Sequence, residues 1–260
     1  MLAYMTVNSL PANAGFGIDV GGSGIKGAIV DLDTGEFVGE RHKIATPQPS
    51  TPEAVAETIT AIIEHFGWDG PVGITLPSVM KHQIARSAAN VDKQWIGTDT
   101  QKLFGHHLPG REVAVLNDAD AAGLAEVEFG AAEAREGAAI FLTLGTGIGS
   151  AFLLEGKLFP NTELGHMIVG KKEAEKQASS AVKNKKDLSY KDWAKRVNTV
   201  LEEYEKLFNP DVFLIGGGIS RKFDKWSGYL TLETPVMPAK LRNRAGIVGA
   251  ALAAQRGVKP

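Results

Sequence analysis

The feature that most constrains this fold is a local pattern that occurs twice. An apolar run, Phe16 to Val20, meets Gly21-Gly22-Ser23-Gly24 and resumes as a second apolar run, Ile25 to Leu32. Much further along, Ala139 to Leu144 meets Gly145-Thr146-Gly147-Ile148-Gly149 and resumes as Ser150 to Leu154. One constant offset lays Gly21 on Gly145 and Asp31 on Glu155. Short apolar runs bounded by glycines read as strands joined by tight turns. Two copies at one offset point to two related half-molecules; two unrelated glycine hairpins are the competing reading.

The segments around the copies extend both halves. Asp33-Thr34-Gly35-Glu36 turns the chain into Phe37 to Ile44, which gives a three-stranded antiparallel meander. Thr51 caps a helix with Pro52 at its first position and Gly67 after its end. Val72 to Leu76 and Glu112 to Leu116 read as buried strands, and a helix is expected from Asp120 to Phe129. After the second copy, residues 190–208 form an amphipathic helix stopped by Asn209-Pro210. Val212 to Ile215 is a strand running into Gly216-Gly217-Gly218, read as a helix start, and Ala245 to Gln255 is a closing helix of small residues. Strands with helices on their faces make an α/β fold.

Composition narrows the function. A net charge of −2 leaves no global attraction for nucleic acid, so any polyanion must be met by a local patch. There is no cysteine, which excludes disulfides and thiolate metal sites and fits an intracellular, cytoplasmic location. Met1 to Ala14 lack the basic start and apolar stretch of a leader. No run approaches the roughly 18 apolar residues of a membrane helix, so no membrane partner is expected.

Five groups of residues carry chemistry. Asp19 ends a strand just before Gly21, Gly22, Ser23, Gly24 and Lys26, where glycine backbone can form an anion nest. Asp19 would repel a phosphate directly, so it makes sense beside one only through Mg²⁺; an acidic strand end on a plain hairpin is the alternative. The second turn offers Thr143, Gly145, Thr146 and Gly147, and the triglycine offers Gly217 and Gly218. Neither turn is a P-loop or a dinucleotide fingerprint. Asn117-Asp118 follows a strand and is followed by small residues, so Asp118 is either a substrate-facing carboxylate or a helix N-cap. Glu163-Leu164-Gly165-His166 sets an acceptor near a two-way hydrogen-bonding ring, suited to a polyhydroxylated ligand or to a structural histidine.

In this order, Asp19 to Lys26, Leu116 to Asp118, Thr143 to Gly149, Glu163 to His166, Leu214 to Gly218 and Ala245 to Ala251 resemble the repressor–ORF–kinase (ROK) sugar kinases. These lie within the hexokinase/actin-like ATPase superfamily, and the polyphosphate glucokinases and glucomannokinases among them are the most similar. The resemblance runs from about Phe16 to Ala254. It implies a two-domain actin-like (ribonuclease H-like) α/β fold with a central cleft, the first domain spanning 1–117 plus 245–260 and the second 118–244. It implies a hexose kinase transferring phosphoryl from polyphosphate, or ATP, to the 6-hydroxyl of glucose or mannose, as a monomer or homodimer. Asp118 would be the general base, and Asn90, Asn117, Glu163 and His166 would hold the sugar. Asp19 would act on Mg²⁺ through water, with the turns at Gly21 and Gly145 around the phosphates. A strictly ATP-dependent kinase and a noncatalytic sugar or polyphosphate binder are the alternatives; a DNA-binding repressor is not expected, with so few residues before the first strand.

Two departures from the family pattern matter. Many relatives place a cysteine-rich zinc site after Glu-Leu-Gly-His, whereas this chain has no cysteine and no close histidine spacing, so no zinc is expected. In its place come Lys171, Lys172, Lys176, Lys183, Lys185, Lys186, Lys191, Lys195 and Arg196, against Glu173, Glu175, Asp187 and Asp192. That stretch is either a solvated face or a track for a long anion, with Lys183, Lys185 and Lys186 as donor contacts.

Overall fold

A computed structural model of the chain describes residues 10–260. The reading of Met1 to Ala14 rests mostly on residues outside that range. The chain divides into two compact units: one runs to Asn117 and takes back Gly246–Pro260, and the other is Asp118–Ala245.

In the first unit, β1 (Ala14–Gly21) and β2 (Gly24–Asp31) form the first glycine hairpin, with Gly21 paired to Gly24. β3 (Glu36–Phe37) and β4 (His42–Ile44) both pair with β2. The expected third strand, Phe37 to Ile44, is therefore broken in two: Gly39 adopts a φ of 80°, which interrupts extended pairing. Helix α1 (Pro52–Phe66) has Thr51 accepting from the Ala54 amide and left-handed Gly67 at its end, as its sequence requires. β5 (Val72–Leu76) joins β1 in parallel; β6 (Met80–Lys81) and β7 (Ile84–Ala85) make a small hairpin. Helix α2 (Thr100–His107) leads to β8 (Val113–Asn117), whose apolar residues are all buried, as in a covered parallel strand. The core gathers Phe16, Ile18, Ile25, Ile59, Ile62, Ile74 and Trp95.

The second unit opens with α3 (Asp118–Ala125), then β9 (Ala138–Leu144) and β10 (Ile148–Leu154) around the second glycine turn, and β11 (Lys157–Phe159). The helix expected to reach Phe129 stops early and continues as a π turn, Glu126–Gly130. The buried Glu126 explains the change of winding: its carboxylate accepts from the Lys240 and Leu241 amides at 2.9 and 2.7 Å. A small ribbon, β12 (Ile168–Val169) with β13 (Lys172–Glu173), precedes α4 (Glu175–Ala178), α5 (Ser180–Lys185) and the long α6 (Tyr190–Phe208). β14 (Val212–Gly216) and β15 (Val236–Pro238) complete the sheet, and α7 (Ala245–Gln255) then returns the chain to the first unit. Gly216-Gly217-Gly218 does not open an α-helix. Gly218–Lys225 is 3₁₀ backbone with a kink at Lys222, so the triglycine opens short 3₁₀ turns rather than an α-helix. The second core centres on Ile140, Trp193, Val197, Tyr204, Phe213 and Trp226.

The two sheets repeat one plan. The first runs β3-β2-β1-β5-β8 and the second β11-β10-β9-β14-β15, each with an antiparallel meander on one side and parallel strands on the other. The turns differ by a residue: two residues separate Gly21 from Gly24, and three separate Leu144 from its partner Ile148.

Candidate active site

In the first unit the acid and the glycine turn meet as a strand end. Asp19 pairs across the hairpin with Lys26, and its Oδ2 lies 3.0 Å from the lysine Nζ. Its Oδ1 accepts from the Thr75 hydroxyl at 3.1 Å, a partner on the neighbouring parallel strand. Lys26, expected as a donor contact, is thus held on Asp19. Gly22 lies close under Asn90: a Cβ there would stand 3.2 Å from the Asn90 carbonyl. Asn90 itself has a φ of 60°, a turn geometry asparagine tolerates. Ser23 is exposed at the tip, while Gly24 is covered by the Lys43 side chain. Asn117 donates to the Ser78 carbonyl at 3.3 Å.

In the second unit Asp118 and Glu163 lie near a carboxyl that sequence reasoning missed, and His166 stands beside Glu163. Asp118 begins α3, and its Oδ1 accepts from the Ala119 amide at 2.9 Å. Two residues later Asp120 is fully buried and accepts from the Asn161 amide at 2.9 Å, tying α3 to the segment before Glu163. Burial, with the charges of Glu163 and Asp118 acting the same way, raises the Asp120 pKa to about 7. The only hint in the sequence was a second aspartate two places after the first.

The Glu163–His166 segment is fixed by its backbone. Ser150 on β10 donates to the Thr162 carbonyl at 2.6 Å and accepts from the Leu164 amide at 3.0 Å. Tyr204 of α6 donates to the Leu164 carbonyl at 2.6 Å. A Cβ at Gly165 would fall 2.1 Å from the Ile148 carbonyl, so only glycine lets this segment lie on β10. His166 reaches one carboxylate with each nitrogen: Nε2 is 3.7 Å from Glu163 and Nδ1 3.5 Å from Glu173. Burial raises the Glu163 pKa, helped by Glu175 and opposed by His166.

His166, Glu173 and Glu175 also bring ligand atoms within 4.8 Å of one another, a set that could grip a cation. A cation of the chain already stands there: Lys176 Nζ is 2.7 Å from Glu175 and 3.8 Å from Glu173.

The second glycine turn is joined to the lysine-rich segment. Ser180 Oγ and the Ala181 amide, in the first turn of α5, both donate to the Gly145 carbonyl, at 2.9 and 3.1 Å. Thr146 is exposed at the tip, and Glu175 lies against Gly147. Thr143 points toward Gly149, where a Cβ would stand 2.7 Å from its hydroxyl. Gly217, at a φ of 81°, packs on the Leu144 backbone, and exposed Gly218 follows it. Lys183, Lys185 and Lys186 leave α5 and its end, so donor contacts expected from three places lie along one connected run.

The resemblance is borne out by comparison with known proteins. The ROK family matches residues 15–185. The polyphosphate glucokinase of Mycobacterium tuberculosis (strain CDC 1551 / Oshkosh) is 58% identical over 239 residues, 92% of this chain and 90% of its own length. The polyphosphate glucokinase of Mycobacterium leprae (strain TN) is 52% identical over 97% of this chain and 78% of its own. The crystal structure of the inorganic polyphosphate/ATP-glucomannokinase from Arthrobacter sp. strain KM superposes with a TM-score of 0.86 at 45% identity, covering 94% of this chain and 99% of that one. A ROK family glucokinase from Streptomyces griseus, solved with glucose and AMPPNP, gives 0.78 at 25% identity over 94% and 100%. With the duplicated sheet plan and the Glu-Leu-Gly-His segment in place, the chain belongs to the ROK family and has its sugar-kinase, actin-like fold.

Proposed function

We propose that this protein is a polyphosphate-dependent hexose kinase that phosphorylates glucose, and also mannose, at the 6-hydroxyl, with ATP as a second donor. The relatives named for polyphosphate glucokinase activity support the reaction class. The observation that carries the reading is the grouping of Asp118 and Glu163 near buried Asp120, with His166 beside Glu163 and the Gly145 turn bonded to a lysine-bearing helix.

Each residue then has a role. Asp118 accepts the proton of the attacking hydroxyl, its carboxylate steadied by the Ala119 amide. Glu163 and His166 hold sugar hydroxyls, and Asn90 and Asn117 assist. The backbone of the Gly21, Gly145 and Gly217 turns, with Thr143, Thr146 and Ser23, lines the phosphates. The reaction needs little covalent help from the protein, so positioning and neutralisation of charge do most of the catalysis.

Asp19 fits a Mg²⁺ held through water. A magnesium ion takes one or two carboxylates plus waters and substrate phosphates, and Asp19 is one carboxylate beside a phosphate-accepting turn. When bound, the ion neutralises charge on the phosphoryl oxygens. No zinc is part of this reading, because the chain offers no thiolate for a cysteine-rich site. Activity should require Mg²⁺, and elemental analysis of active enzyme should find no stoichiometric zinc; zinc whose removal abolishes activity would refute this.

The deciding experiment is a coupled assay of glucose and mannose with polyphosphate and with ATP, on wild type and Asp118→Asn. The variant should lose about 10²–10⁴-fold in kcat while still binding sugar. Wild-type turnover by folded Asp118→Asn would remove the base assignment, and turnover with ATP alone would leave a strictly ATP-dependent kinase.

A further inference from the structure

The helix that carries the base and the segment that holds the sugar are joined by a buried bond. Asp118 opens α3, and Asp120 follows two residues later with no exposed surface. Its Oδ2 accepts from the Asn161 amide at 2.9 Å, and Asn161 stands two residues before Glu163. The acid of α3 and the acid of the Glu-Leu-Gly-His segment are therefore each two residues from the same hydrogen bond. The charges of both act on Asp120, which sets it within electrostatic reach of each.

Other buried groups already hold the segment down. Ser150, on β10, bonds the Thr162 carbonyl and the Leu164 amide. Tyr204, on α6, bonds the Leu164 carbonyl. These contacts tie the segment to a strand and to a helix of the core, and Asp120 supplies its tie to α3. A carboxyl buried near two other acids is unfavourable for folding, so what it holds matters more than its burial.

The two kinds of tie have different consequences for transfer. A bond that only holds the sugar segment changes how tightly sugar binds. A bond that joins this segment to the base helix changes how the bound sugar is aimed, and a misplacement of about 1 Å costs about 10²-fold in rate.

We infer that Asp120 is a positioning residue: through the Asn161 amide it fixes Glu163 relative to Asp118, and so aligns the bound hexose for transfer. The inference rests on the reading of Asp118 as base and Glu163 as sugar ligand. With no exposed surface, Asp120 does not touch the sugar. It acts by accepting a hydrogen bond, a task that an amide side chain also performs.

The test compares wild type with Asp120→Ala, Asp120→Asn, Tyr204→Phe and Glu163→Gln in the full chain. For each, kcat and KM for glucose and for polyphosphate are measured, with Tm as the check on folding. Asp120→Ala should lower kcat by about ten- to hundredfold and leave KM for polyphosphate unchanged. Asp120→Asn, which keeps the acceptor, should restore most of the lost kcat. Tyr204→Phe should instead raise KM for glucose by about two- to tenfold, the effect of losing one buried hydrogen bond, with kcat near wild type. If Asp120→Ala does not fold, Asp120→Val fills the space without an acceptor and carries the same expectation. Wild-type kcat in a folded apolar variant would overturn the inference. So would an Asp120→Asn as slow as Asp120→Ala, because the carboxyl would then be needed for its proton and not for its bond. Equal kcat losses in Asp120→Ala and Tyr204→Phe would reduce Asp120 to packing. Failure of the underlying reading looks different: Glu163→Gln, which should raise KM for glucose, would leave it unchanged.

Discussion

Asp120 has no exposed surface, yet it sits where the charges of Asp118 and Glu163 reach it. Its pKa rises from 3.8 to about 7, so the folded chain keeps a proton that the unfolded chain releases. The stability this brings is complete below pH 3.8 and is lost as pH climbs through about 7. Asp120→Asn removes the titration and keeps an acceptor for the Asn161 amide. Its Tm should therefore improve relative to wild type as pH is raised across that window; a constant Tm difference from pH 4 to pH 8 would contradict the buried proton. Asp118 could be read in the sequence because it follows a strand and precedes small residues. Asp120 could not, since two aspartates in a first turn look like ordinary helix-dipole partners. The donor that holds it, the Asn161 amide, lies 41 residues along the chain.

At the scale of elements, two glycines in the first unit should respond to the same substitution with opposite signs. Gly73 on β5 faces α7 so closely that a Cβ would stand 1.7 Å from the Ala250 carbonyl. Gly73→Ala must push helix from sheet and should cost about 1–3 kcal/mol or more. Gly105, on the exposed face of α2, has nothing within 4 Å of such a Cβ. Gly105→Ala should instead stabilise by about 0.5–1 kcal/mol through helix propensity. Urea denaturation of both variants decides it; a Gly73→Ala variant as stable as wild type would mean that α7 does not pack on Gly73 as described, and a destabilised Gly105→Ala would remove the propensity argument. Elements whose ends carry their own signals were legible: α1 between Thr51 and Gly67, and α6 up to Asn209. The π turn at Glu126 was not, because its cause lies at Lys240 and Leu241, far along the chain. The triglycine misled as well, since a strand followed by glycines does not reveal whether helix or 3₁₀ backbone comes next.

For the molecule as a whole, a net charge of −2 means that a long anion must be drawn by local positive surface. Lys183, Lys185 and Lys186 changed together to glutamate should raise KM for long polyphosphate strongly, with KM for glucose and ATP moving little. The wild-type advantage should shrink in a salt series, as the Debye length falls to about 8 Å at physiological ionic strength and below that beyond it. Equal losses with both donors, or an unchanged salt slope, would reduce these lysines to solvated surface. The repeated strand–turn–strand pattern made the two-sheet plan readable, because a hairpin is local and carries its glycines with it. The exchange of helices followed from the family resemblance, not from any local pattern. The helix after β8 belongs to the second unit, and the helix after β15 belongs to the first, where Gly17 and Gly73 leave room for its backbone. That exchange sets a timetable for biosynthesis. A ribosome releases β1 and β5 long before it has made Gly246 to Gln255, so the nascent first unit emerges with the sheet face over Gly17 and Gly73 bare. Synthesis of the entire second unit intervenes before that face is covered. The unit translated first is the one completed last, and for that interval its apolar strands are the part of the chain a chaperone would recognise.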